Sequence, residues 1–152
     1  MAAGYSVETA GDIALAAATA KTILSIVNAA NALHRISEIF VGFDGTSVTN
    51  EPVTVELMSS TEATAGTSTT HTIVRGRGPT RTAQATGKRN FTAEPTVLST
   101  YKRWLVHPQS GILIPSPLGR EPEQITTAGA YVIRCTAPAA VNVQAYMEFE
   151  EG

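Results

Sequence analysis

Cysteine is nearly missing from this chain of 152 residues: Cys135 stands alone. No internal disulfide can form, and no thiolate cluster can hold zinc or iron. Within Tyr131-Val-Ile-Arg-Cys-Thr136 the thiol reads as a small buried hydrophobe, because a nucleophilic role would need a neighbouring base and an electropositive pocket. Histidine is sparse as well. His34, His71 and His107 are far apart and lie in no tight ligand motif, so hydrogen bonds at loop or strand ends account for them. No cofactor and no metal are expected. Long apolar runs are missing, which argues against a helical membrane span. Residues 1–12 carry Glu8 and Asp12 and lack the positive region of a signal peptide, so the protein is expected to be made in a cytoplasm and used or assembled there.

Positive charge is in short supply overall. Eleven Lys and Arg against thirteen Asp and Glu leave a formal net charge of -2, whereas a dedicated nucleic-acid-binding domain is normally basic. The length suits one domain, which at this size buries roughly 70% of the surface its unfolded form exposes.

Catalytic motifs are also lacking. Asp44, Glu51 and Glu56 flank one loop, but glycoside hydrolysis needs two acids at a defined separation across a cleft, and turn or strand-end positions are the simpler account. No serine sits in a glycine-framed nucleophile elbow. Arg75-Gly-Arg-Gly-Pro79 has the glycines of a phosphate loop without the lysine and hydroxyl that follow, and it precedes no helical pattern. A non-enzymatic role is expected.

What the chain does have is period-two alternation. Residues 21–28 are rich in β-branched side chains, and in 35–44 Ile39, Val41 and Phe43 fall on one face. Asp44-Gly45 marks a turn before a polar loop through Glu51-Pro52. In 53–58, Val53, Val55 and Leu57 point inward and Thr54 and Glu56 outward. A Ser- and Thr-rich loop over 59–70 leads to a short strand over 70–74. Further strands are expected over 101–106, 112–114, 123–126, 131–136 and 141–149. The last is the clearest: Val141, Val143, Ala145, Met147 and Phe149 share one face, Asn142, Gln144, Tyr146 and Glu148 the other. Eight or nine short strands with Pro- and Gly-marked turns predict an all-β, two-sheet β-sandwich, with jelly-roll-like or immunoglobulin-like connectivity.

Residues 1–19 are rich in small side chains and carry few large anchors. They read as an N-terminal arm, or as a short helix over 13–20 capped by Asp12. Residues 20–152 then form the single β-sandwich domain.

Charge is distributed unevenly. Seven of the eleven basic residues lie between Arg75 and Arg103, with Glu94 the only acid among them. Gly76, Gly78, Pro79 and Gly87 interrupt the pattern and predict a long basic loop over about 75–95, a length more often functional than accidental. Arg75, Arg77, Arg81, Lys88 and Arg89, together with Tyr101, Arg103 and Trp104 on the following strand, are the candidate interface residues. Aromatics and arginine are favoured in interface centres. A solvated face and a nucleic-acid contact are the competing readings of the same residues.

From about 20 to 151 the chain resembles tailed-bacteriophage head-decoration, or cement, proteins and related phage virion proteins. The segments carrying the likeness are Ala20-Lys-Thr-Ile-Leu24, Phe43-Asp-Gly-Thr46, Pro52-Val-Thr-Val-Glu-Leu57, Asn90-Phe-Thr-Ala-Glu-Pro95, Trp104 through Pro108, and Ala137-Pro-Ala-Ala-Val-Asn-Val143 through Glu150. The resemblance implies a jelly-roll-like, trimeric component of the capsid exterior that binds the major capsid protein and neighbouring copies of itself and bridges capsid subunits. Membrane and direct nucleic-acid contacts are not implied. In that setting residues 2–19 would lie across an adjacent subunit, and residues 75–89 would pair with an acidic capsid surface. The competing class is a carbohydrate- or peptide-binding sandwich of a phage receptor-recognition apparatus, with Trp104 and Tyr101 as a platform.

Overall fold

The computed structural model describes residues 2–45, 51–61 and 65–152. Among them the chain forms thirteen strands and no helix. In chain order these are β1 (Ala3–Glu8), β2 (Ile13–Leu15), β3 (Ala20–Val27), β4 (His34–Phe43), β5 (Val53–Ser60), β6 (Thr67–His71) and β7 (Val74–Arg77). β8 (Thr86–Ala93), β9 (Leu98–Val106), β10 (Gly111–Pro115), β11 (Glu123–Gln124), β12 (Ala130–Thr136) and β13 (Val141–Glu151) follow. The polar connection expected through Glu51-Pro52, and the middle of the Ser- and Thr-rich stretch, lie in part outside the described residues.

The strands form two antiparallel sheets. One runs β10-β4-β13-β1-β7, with β11 pairing β4 and β2 pairing β13; the other runs β6-β8-β3-β12-β5-β9. Eight of these strands pair as a chain folded on itself and rolled: β1 with β13, β3 with β12, β4 with β10 and β5 with β9. The resulting four-strand orders, β1-β13-β4-β10 and β3-β12-β5-β9, are the two sheets of a jelly roll. β6, β7 and β8 are an insertion between β5 and β9. They extend both sheets along the edge formed by β1 and β3.

Alternation builds the core. Val141, Val143, Ala145, Met147 and Phe149 of β13 meet Val53, Val55 and Leu57 of β5 and Ile133 and Cys135 of β12 within one buried cluster. Burial pushes the Cys135 thiol up from its ordinary value, which keeps it protonated and inert. A second, smaller cluster of Met58, Ala130 and Val132 lies on the other face of the six-stranded sheet, with Val27 and Leu98 packed against it.

Residues 2–19 are neither an arm nor a helix. β1 lies between β13 and β7, and Ala3, Tyr5 and Val7 are buried. The alanines after Asp12 do not carry a helix, because Ile13 and Leu15 alternate into the core while β2 pairs with β13 at 141–143. Nor are residues 75–95 one loop. Arg75 and Arg77 belong to β7, and Lys88 and Arg89 belong to β8, where glycine is tolerated in strands that pack closely: a Cβ at Gly87 would come 2.8 Å from Val7. The short strand expected over 70–74 is divided between β6 and β7.

Candidate functional site

The candidate interface residues fall on two edges of the sandwich. Arg75, Arg77, Arg81, Lys88 and Arg89 lie on the inserted β7, β8 and their connection, whereas Tyr101, Arg103 and Trp104 lie on β9. In the six-stranded sheet β8 and β9 are separated by β3, β12 and β5, four strand steps or roughly 19 Å. They do not form one face.

On the inserted edge Arg75, Arg77 and Arg81 turn toward their own chain. Arg77 pairs with Glu150 of β13. Arg81 donates to the main-chain carbonyl of Glu151 at 2.9 Å, while its own carbonyl accepts the Tyr5 hydroxyl at 2.9 Å. Arg75 donates to the carbonyl of Gly78 at 3.0 Å. Glu151 is itself buried and accepts the amides of Gln84 and Ala85. Within the chain, Arg77 has its acidic partner in the C-terminal strand. The sequence signal was available: Glu151 has the same parity as Val141 to Phe149, so alternation carries its carboxylate inward.

β9 is different. Among the described residues it pairs only with β5, so one side of a nine-residue strand is an open edge. Leu105 is 69% exposed and Tyr101 49% exposed. The Lys102 ammonium sits 5.3 Å from the Tyr101 ring centroid, and that ring meets Tyr131 edge-on. Trp104, opposite Val55, is partly buried against the core.

Arg103 is anchored by a residue that alternation places outward. Glu56 stands between Arg103 of β9 and Arg134 of β12 in the register. Its carboxylate accepts from Arg103 at 2.9 Å, Arg134 at 3.1 Å and Thr100 at 2.9 Å. Burial pushes this carboxyl up, and the hydrogen bonds from Arg103, Thr100 and Arg134 outweigh that effect and leave its pKa lowered. Glu56 is buried although it faces away from the core, because the two arginines cover it. Cross-strand register creates this cluster, and spacing within one strand cannot show it.

The remaining ionisable groups are dispersed. Asp44 accepts from Asn142 on the other sheet, so it does not meet Glu56. His71 bonds Glu8 at 3.1 Å, and the His107 ring accepts the amide of Gln109. His34 is fully buried. Among the described residues no group of three or more His, Cys, Asp or Glu is arranged to hold a metal, and no helix is long and apolar enough to cross a membrane. Compared with known proteins, the chain matches no family, no curated protein and no solved structure.

Proposed function

We propose that the protein is a structural virion component, made in the host cytoplasm and placed on the exterior of a tailed-phage capsid. There it stabilises the head by bridging major capsid subunits, with neighbouring copies of itself as further partners in a homotrimer. Its role is binding, not catalysis. The observation that carries this reading is the open edge of β9, with Leu105 and Tyr101 exposed and Arg103 held between them by Glu56. A long edge strand bearing apolar side chains is a template for pairing with another chain, and monomeric proteins usually blunt such edges. Jelly rolls also serve as viral capsid and lectin domains, which supports the reading only by analogy of fold.

The test is incubation of the purified protein with undecorated capsids, followed by sedimentation and density imaging. Saturable, symmetric occupancy is expected, and a Leu105→Arg variant is expected to lose it. Wild-type protein that stays in the supernatant at low and moderate salt overturns the proposal. Analytical ultracentrifugation checks the trimer separately from the attachment.

A further inference from the structure

The outer face of the seven-stranded sheet carries an open cleft of about 470 Å³ whose lining includes Asp12, Phe40, Gly42, Asp44, Leu113 and Gln144. One wall is aromatic. Phe40 of β4 stands opposite Tyr146 of β13, and the two rings stack with centroids 5.5 Å apart and planes 21° from parallel. The Phe40 ring lies along the sheet over Gly42, where a Cβ would come 2.9 Å from its Cζ, and close to Gly111, where a Cβ would come 3.4 Å from its Cε2. Glycine at position 42 gives the ring room to lie down. Leu113, 55% exposed, is paired with Phe40 from the other side.

Beside this shelf β13 presents a row of polar groups, each tied to an acid. Asn142 Nδ2 donates to Asp44 Oδ2 at 2.8 Å, Gln144 Nε2 to Asp12 Oδ1 at 2.7 Å, and the Tyr146 hydroxyl to Glu38 Oε1 at 2.6 Å. These bonds orient the amide and carboxylate planes before any ligand arrives, which lowers the entropy lost on binding. The cleft therefore offers an apolar wall and, next to it, alternating fixed donors and acceptors, the pattern of a small-molecule site.

We propose that this cleft binds a neutral saccharide. The apolar face of a sugar ring lies against Phe40 and Leu113, its hydroxyls donate to the carboxylates of Asp12 and Asp44, and another hydroxyl accepts from the Gln144 amide. Other ligand classes fit less well. An anion would meet Asp12, Asp44 and Glu38, all of its own sign. A bare metal ion would find no group of three or more His, Cys, Asp or Glu arranged to hold it among the described residues, and a purely apolar anchor would desolvate the carboxylates without replacing their hydrogen bonds. The inference stands independently of the virion reading.

Saturation-transfer NMR and calorimetric titration of the full chain test it, with maltotriose, cellotriose and tri-N-acetylchitotriose as neutral probes. Sialyllactose serves as the anionic control and arginine as the cationic one. At least one neutral probe is expected to bind saturably. Gln144→Ala and Asp12→Ala should each weaken it by about tenfold, the effect of removing a hydrogen bond to or beside a charged group. Gly42→Ala should weaken it without removing a polar contact, because its Cβ would come 2.9 Å from the Phe40 Cζ and displace that ring. Thermal melting of each variant distinguishes a lost site from a lost fold. Failure of every neutral probe to saturate, unchanged binding in the Gln144 and Asp12 variants, or tighter binding of arginine than of any sugar would overturn the proposal.

Discussion

The carboxylate of Glu151 accepts the main-chain amide of Ala85 at 2.8 Å and, through both oxygens, that of Gln84 at 2.8 and 3.0 Å. The connection between β7 and β8 is thereby closed onto the end of β13, with Arg77 on Glu150 and Arg81 on the Glu151 carbonyl as further ties. A segment that reads as a basic loop reaching for a partner is instead fastened to the body of the fold.

Removing that carboxylate leaves the amides of Gln84 and Ala85 without their acceptor. Glu151→Ala is expected to cost about 3 kcal/mol, and Glu151→Gln, which keeps one acceptor oxygen, about 1 kcal/mol. Urea denaturation midpoints measure both. Equal midpoints for Glu151→Ala and the unchanged protein would show that water replaces the carboxylate without loss.

Deleting residues 1–19 removes β1 and β2, including buried Tyr5, Val7, Ile13 and Leu15. It also exposes the edges of β13 and β7 that pair with β1. Large core truncations cost about 2–5 kcal/mol for each side chain, so the loss exceeds the stability of an ordinary domain. The truncated protein is expected to show no cooperative melting transition. A sharp transition near that of the full chain would return these residues to the role of an arm.

The contrast with the sequence reading is physical. Strands with large β-branched residues at every second position, such as β5 and β13, were legible because burial of one face leaves that mark. β1 and β2 were not, since Ala3, Gly4 and Ser6 leave only Tyr5, Val7, Ile13 and Leu15 as anchors amid alanines that favour helix. The β7 and β8 pair was hidden by its glycines and arginines. β7 is a four-residue edge strand with every residue exposed, and β8 lies between β6 and β3 in the other sheet with only Gly87 and Phe91 buried, so both are held more by pairing than by an apolar face. Of the candidate site, the sharing of one face by Tyr101, Arg103 and Leu105 was legible from alternation, but which face is exposed was not, because both faces mix apolar and charged side chains. Glu56 as the anchor of Arg103 was not, because its partners Arg103, Thr100 and Arg134 are set by register across three strands.

His34 makes stability depend on pH. It is fully buried, faces Tyr131 and Phe149 edge-on, and makes a long contact, 3.4 Å from Nδ1 to Asn28 Oδ1; its Nε2 is buried with no partner among the described residues. Burial lowers its pKa from 6.5 to about 4. Between those values the unfolded chain binds a proton that the folded chain refuses, so stability falls as pH drops from 6.5, with the loss complete below about 4. The full effect is about 3 kcal/mol. Urea midpoints between pH 7 and pH 4.5 should show this slope, and His34→Leu should flatten it. Identical slopes in the two proteins would assign the acid sensitivity elsewhere.

Glu56 acts lower on the pH scale and ties stability to the proposed interface. Its folded pKa is lowered, so its contribution is present above the unfolded value of about 4.3 and is lost as pH falls through the folded value. Its side chain is 5% exposed, against 24% for Arg134 and 59% for Arg103. Glu56→Ala strands the largely buried Arg134 and is expected to cost about 3 kcal/mol. Arg103→Ala removes a mostly exposed partner and should cost less than about 1 kcal/mol. Arg103 is therefore the residue that separates fold from function: its alanine variant should melt nearly as the unchanged protein does and still lose capsid attachment. A variant that melts early and binds normally would make Arg103 a clamp for Glu56 and remove it from the interface.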